Sequence, residues 1–245
     1  MLRLENLSFS VHNNGESKLI ISDINLEFKR GKLYGITGPN GGGKTTLAKV
    51  IMGILPHSSG HIYLDDKDIS LTNITERANL GLAYAFQHPP RFKGLTIEDL
   101  VKIAQPKLSN LSVRKKMRDV GLCPEDYLER DMGSALSGGE MKRIEILQVL
   151  ARNAKLAIFD EPEAGVDLWT IQRLVDIIVS KYHNNPEAAA VLITHNRNIL
   201  PMCDEILVIE EGRIKHQGQR DLVWPLIRDD IICQVQDTCG GEEII

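Results

Sequence analysis

Gly38-Pro39-Asn40-Gly41-Gly42-Gly43-Lys44-Thr45, followed by Thr46, is the stretch on which the fold turns. It fits the pattern GxxxxGK[ST], in which glycines let the chain curl until backbone N–H groups converge on phosphate oxygens. Residues 33–37 before it read as a short strand. After it, Leu47, Val50, Ile51 and Ile54 fall at i, i+3, i+4 and i+7, one buried helix face. A glycine-rich turn with an exposed lysine would also fit the residues; the strand before and the helix after select the phosphate-binding loop. Lys44 would then reach the β- and γ-phosphates, and the Thr45 hydroxyl would ligate Mg²⁺.

The rest of the chain agrees with a strand–loop–helix beginning. Residues 2–28 read as a small antiparallel hairpin, with His12-Asn13-Asn14-Gly15 as its turn. Gly60 closes a turn before a strand at 61–64, and another strand covers 82–86. Strand signals vanish from 88 to 130, where Arg114, Lys115, Lys116 and Arg118 form a solvated basic helix face. Strands resume at 156–160, 190–194, 205–209 and 213–216, with a helix marked by Leu168, Ile171, Leu174, Val175 and Ile178 between the first two. The expectation is an α/β fold on a mainly parallel sheet, with an N-terminal antiparallel β-subdomain. A helical subdomain, about 88–155, is inserted in one domain spanning 1–230, and 231–245 is a tail.

Composition narrows the class. The 245 residues are 42% hydrophobic and 25% charged, ordinary for a folded domain and unlike a disordered chain. A net charge of −4 argues against a nucleic-acid partner. No uncharged apolar run approaches a membrane span, and Met1 to Glu5 do not begin a signal peptide. Cys123, Cys203, Cys233 and Cys239 are scattered, so a reducing, cytoplasmic setting is expected. Cys233 and Cys239, with five residues between them in the tail, do not have metal-site spacing and are read as carrying no chemistry.

Two further motifs follow. Leu156-Ala157-Ile158-Phe159-Asp160-Glu161 is an apolar strand delivering two carboxylates at its C-terminal end, the end that faces a ligand in an open α/β sheet. Asp160 would hold Mg²⁺, and Glu161 would act as general base on the attacking water. Leu136-Ser137-Gly138-Gly139-Glu140 opens a helix with a serine and two residues lacking side chains, so a phosphate can approach closely.

In this order and spacing the three motifs resemble the ABC ATPases over nearly the whole chain. The resemblance implies ATP hydrolysis with Mg²⁺. It also implies an ATP-dependent head-to-tail dimer, each ATP lying between one copy's phosphate loop and Ser137, Gly138 and Gly139 of the other. Gln87 matches the Q-loop glutamine that contacts Mg²⁺ and the attacking water. Ala164-Gly165-Val166-Asp167 resembles the D-loop, with Asp167 at its acidic position, and His195 matches the switch histidine at the γ-phosphate. The adenine-stacking aromatic is missing: Val11 takes its place, with Phe9 and His12 nearby.

Within the family, Lys142-Arg143-Ile144-Glu145-Ile146-Leu147-Gln148 is similar to the run after the signature in SufC, the soluble ATPase of iron–sulfur cluster assembly. Ala85 to Pro90, Gly94-Leu95-Thr96 and the Thr194-His195 segment also resemble it. Glu161-Pro162-Glu163-Ala164 and Asn198 depart from its pattern. This likeness implies a SufB/SufD-like scaffold as partner, docked beside Gln87 near Phe92 and Leu95. The alternative is the nucleotide-binding subunit of a membrane transporter, with a membrane subunit as partner. Fewer than a hundred residues separate loop and signature, which leaves no room for a coiled-coil arm.

Overall fold

The computed structural model describes residues 1–13, 16–133 and 136–236. The first strands, β1 (Leu2–Asn13) and β2 (Glu16–Phe28), pair antiparallel, with Leu2 opposite Phe28 and Val11 opposite Lys18. Of the expected turn, His12 and Asn13 instead belong to β1, opposite Ser17 and Glu16, and Asn14 and Gly15 lie outside the described residues. β3 (Leu33–Thr37) leads through the glycine-rich loop into α1 (Lys44–Ile51). β4 (Ser59–Leu64) and β5 (Lys67–Asp68) complete a four-stranded antiparallel sheet of order β2-β1-β4-β5. Next come α2 (Ile74–Asn79) and β6 (Leu82–Ala85), then the helical stretch α3 (Ile97–Ala104), α4 (Asn110–Asp119), α5 (Pro124–Tyr127) and α6 (Gly138–Ala151). β7 (Leu156–Asp160), α7 (Leu168–His183), β8 (Ala189–Ile193), β9 (Glu205–Glu210), β10 (Arg213–Gln219) and α8 (Arg220–Gln236) follow. The second sheet has order β10-β9-β3-β8-β7-β6, parallel throughout except for β9 with β10.

The parallel strands read as continuous apolar runs because both faces are covered. Alternate residues divide between two cores. Tyr34, Ile36, Ile158 and Val191 pack with Leu47 and the antiparallel sheet, whereas Leu33, Ala157, Phe159 and Leu192 pack with α6 and α7. Helix α6 is buried on most sides, from Met141 and Ile144 through Ile146, Leu147 and Leu150. Because β8 lies between β3 and β7, the loop, the acid pair and the residues after β8 meet at one sheet edge.

Several expectations change. Gly60 belongs to β4 rather than to a turn before it; its φ of +90° and the nearby Glu5 and Asn6 carbonyls leave no room for a side chain. Leu168 is 65% exposed and does not join the buried face of α7. Leu95 is half-buried against the helical core, which leaves Phe92 as the surface apolar residue there. Arg114 and Arg118 do lie on a solvated face, where both pair with Glu125. Helix α8 runs through the point where the tail was expected to begin, because Val223 and Ile227 bury against Leu200, Ile206 and Val208. Cys239 and the Cys233 side chain fall outside the described parts.

The far end of α1 depends on one buried cation. Arg77, 2% exposed, donates to the carbonyls of Val50 (2.7 Å), Ile51 (2.8 Å), Ser70 (2.9 Å) and Thr72 (3.1 Å). A guanidinium suits the negative end of a helix dipole. Arg77→Leu removes these donors and is expected to cost about 3–5 kcal/mol, lowering the melting temperature by roughly 10 °C. Arg114→Ala, at an exposed ion pair, should cost under about 1 kcal/mol. Thermal unfolding of the two variants checks the contrast.

Candidate active site

The loop after β3 owes its shape to close backbone approach. At Gly38, φ is +133°, and a Cβ there would collide with the Ile209 carbonyl. A Cβ on Gly42 would lie 2.7 Å from the same oxygen. Asn40 and Gly41 are exposed at the tip, while Thr45 and Thr46 are half-buried at the start of α1. Lys44 is buried, and its Nζ donates to the Gly38 and Pro39 carbonyls, each at 2.8 Å. Burial pushes the Lys44 pKa down, against the opposing charges of Glu161 and Asp160.

Asp160 ends β7 fully buried. Its Oδ1 accepts from the Thr45 hydroxyl at 3.1 Å and its Oδ2 from the Tyr84 hydroxyl at 2.6 Å. Glu161 has φ of +45°, a left-handed backbone that turns its side chain away from the strand direction, and its N–H donates to the Ile193 carbonyl at 2.9 Å. Gln87, two residues past β6, donates from Nε2 to Glu161 Oε2 at 2.7 Å. The half-buried His195 imidazole has a buried Nε2 without a partner. Burial and then the Lys44 charge hold its pKa below the ordinary imidazole value, with Glu161 opposing. Lys44, Thr45, Gln87, Asp160, Glu161 and His195 are therefore one cluster.

The signature residues are not joined to it. Ser137 caps α6: its Oγ accepts from the Glu140 N–H at 3.2 Å, and Glu140 accepts from the Ser137 N–H at 2.7 Å. Among the described residues, no hydrogen bond joins Ser137, Gly138 or Gly139 to the phosphate loop. Gly139 instead faces the Gly165 carbonyl, which a Cβ would meet at 3.4 Å. Asp167 is exposed and caps α7 through the Thr170 N–H at 2.9 Å, which lowers its pKa. Val11 is 43% exposed, and Phe9 is buried in the core of the antiparallel sheet, where it cannot stack on a base.

Three site residues carried no role in the sequence reading. Tyr84 sits in a strand whose pattern reads as apolar core. Lys142 and Glu145, on the buried α6, form an ion pair at 3.4 Å. Lys142 Nζ donates to the carbonyls of Phe86 and Asp160, and Glu145 accepts from the Phe86 N–H at 2.6 Å. The pair thus grips the residues immediately before Gln87 and Glu161. Burial raises the Glu145 pKa to about 6. A lysine and a glutamate three residues apart among the apolar positions of α6 are the sequence signal that could have found them.

The donor set suits Mg²⁺. Thr45 Oγ1 and Asp160 Oδ1 are 3.1 Å apart, close to the edge of an octahedron with bonds of about 2.0–2.1 Å, and Mg²⁺ takes few protein oxygens beside water and phosphate. Tyr84 orients the carboxylate from behind. Tyr84→Phe is expected to weaken Mg²⁺ binding in the presence of ATP about tenfold, as read by Mg²⁺ titration.

Residues 21–164 match the protein family described as ABC transporter. An uncharacterized ABC transporter ATP-binding protein of Methanocaldococcus jannaschii is 31% identical over 89% of this chain and 88% of its own length. The lipopolysaccharide export system ATP-binding protein LptB of Escherichia coli is 35% identical over 83% of this chain and 86% of its own. A solved ATP-binding cassette, described as a dimer in a post-hydrolysis state with ADP and Pi, superposes with a TM-score of 0.79. At 21% identity over 90% of this chain and 99% of that one, it shows the shared fold. With the glycine-rich loop, the acid pair and the capped signature helix all in place, the chain belongs to the ABC transporter family as one of its ATP-binding ATPases.

Proposed function

We propose that the chain is a SufC-type ATPase subunit that hydrolyses MgATP to drive a change in a SufB/SufD-like scaffold during iron–sulfur cluster assembly. It would act as an ATP-dependent head-to-tail dimer. The observation that carries the ATPase reading is the convergence of Lys44, Gln87, Asp160, Glu161 and His195, while Ser137 stays apart with its own helix cap. Such a half-site calls for a second copy to supply Ser137, Gly138 and Gly139. The solved cassette of the same fold is dimeric.

The roles divide by chemistry. The loop amides of 38–43, with Thr46 beside them, and the Lys44 ammonium hold the phosphates. Thr45 and Asp160 would hold Mg²⁺, which supplies charge neutralisation at the phosphate oxygens. Glu161 takes the proton of the attacking water, and Gln87, already bonded to its carboxylate, orients that water. His195 enters neutral, with Nε2 free to contact the γ-phosphate. Asp167 belongs to the face that the second copy covers.

The SufC-type reading draws support from Lys142 and Glu145. The run that carries the resemblance makes buried contacts behind both catalytic loops rather than lying on the surface. A partner site is available beside Gln87: a groove of 250 Å³ lined by Met52, Ile74, Phe86 and Ile103, with Phe92 exposed nearby. The second reading, a transporter subunit bound to a membrane protein, is favoured by the names of the relatives. Purifying the chain with its native partner decides: a soluble scaffold whose cluster content falls with Glu161→Gln supports the first reading, and a detergent-extracted membrane subunit supports the second.

Glu161→Gln should keep ATP binding, lose turnover about 100-fold or more, and sediment as a dimer with MgATP. Lys44→Ala should lose ATP binding, turnover and the MgATP-dependent dimer together. Trp169, 86% exposed two residues past Asp167, should shift its fluorescence only in the dimer. The isolated chain should be a slow ATPase whose specific rate rises with its concentration. With no ring against the base, ATP and GTP turnover should agree within about tenfold; a parallel titration of the two nucleotides checks this.

A further inference from the structure

We infer that Glu163 is a positioning residue that fixes His195, the inference resting on the role proposed above for that histidine. Glu163 lies two residues beyond Glu161, in a turn closed by Ala164 N–H to the Glu161 carbonyl (3.0 Å) and Val166 N–H to the Glu163 carbonyl (3.1 Å). Its Oε1 accepts a hydrogen bond from the Thr194 hydroxyl. The Thr194 Oγ1 accepts in turn from the Asn196 N–H at 2.9 Å. The His195 backbone amide lies close enough to pull the Glu163 pKa down. One side chain therefore holds the residue before His195 directly and the residue after it by one relay, which brackets His195 on both sides.

The grip is local and dry. Thr194 is fully buried, and Glu163 Oε2 is buried with no partner. An unpartnered buried carboxyl oxygen is costly, so a residue with a purely space-filling task would be better apolar. Glu163 also stands where the SufC pattern has a different residue, the departure noted from sequence. Around it stand Glu161, Lys142, Thr194 and the His195 amide. Burial and the Glu161 charge raise its pKa, while Thr194 and the His195 amide pull it down. What the loop needs from it is an acceptor oxygen rather than a negative charge.

That distinction sets the test, made on the full chain with its partner. Glu163→Ala should lower kcat about tenfold, because small misplacement of a reacting group is costly, with KM for MgATP changed less than about twofold. Glu163→Gln, which keeps the acceptor, should recover to within about threefold of the parent. Thr194→Val should match Glu163→Ala, and the double variant should be no worse than either single, as expected for residues acting as a unit. Nitrogen NMR of the His195 ring provides a readout independent of turnover. Its signals should coincide in parent and Glu163→Gln and should shift or broaden in Glu163→Ala. Unchanged His195 signals in Glu163→Ala, or equal losses in the Gln and Ala variants, would overturn the inference. A parent without ATPase activity would overturn the ATPase reading instead, and the ring signals would still decide whether Glu163 holds His195.

Discussion

Asp160 is fully buried, and a buried carboxylate has to be compensated where it stands. Its compensation comes from three separate elements. Thr45 donates from the first turn of α1, Tyr84 donates from the neighbouring strand β6, and Lys142 of α6 binds its backbone carbonyl. Removing any one partner would leave polar surface stranded in the core. The loop, the β6 strand end and the signature helix are thereby held to one point, and the remaining site residues take their places around it.

The second buried charge pair extends this grip. Lys142 and Glu145 lie one turn into the helix whose N-terminus is Ser137, and they hold the Phe86 backbone by both its N–H and its carbonyl. Breaking such a pair on one side is far more costly than never having built it. A helix that begins with the signature is therefore mechanically joined to Gln87, and Gln87 to Glu161. A rotation of the helical stretch would carry the signature and the glutamine together. The same helix packs against α3 and α7, so the coupling has a rigid backing.

Part of the exposed apolar surface lies on the loops of this machinery. Leu168 and Trp169 follow Asp167 directly, Ile74 and Ile103 line the groove beside Phe86, and Phe92 is exposed on the segment that follows Gln87. Exposed large apolar side chains gathered at functional loops mark surfaces that other chains cover. On the antiparallel sheet Phe9 serves the core, and Val11 stands where the family's stacking aromatic is expected.

The sequence by itself determined the loop, the acid pair, the cap of α6 and the order of strands and helices. Each is a local matter: glycines permit one curl, a serine three residues before a glutamate caps one helix, and an apolar run before two acids makes one strand end. The resemblance to the ABC ATPases, rather than any local rule, singled out Gln87 and His195, each standing after the C-terminal end of a strand. Tertiary structure alone decided the roles of Tyr84, Lys142, Glu145 and Glu163. Tyr84 meets Asp160 across 76 residues of chain, and Lys142 meets Phe86 across 56. Periodicity assigns a residue to a buried or an exposed face, and it cannot say which distant polar group arrives at the same buried point. That pairing is fixed only when burial removes water and leaves each donor and acceptor to find the partner that the packing brings within reach.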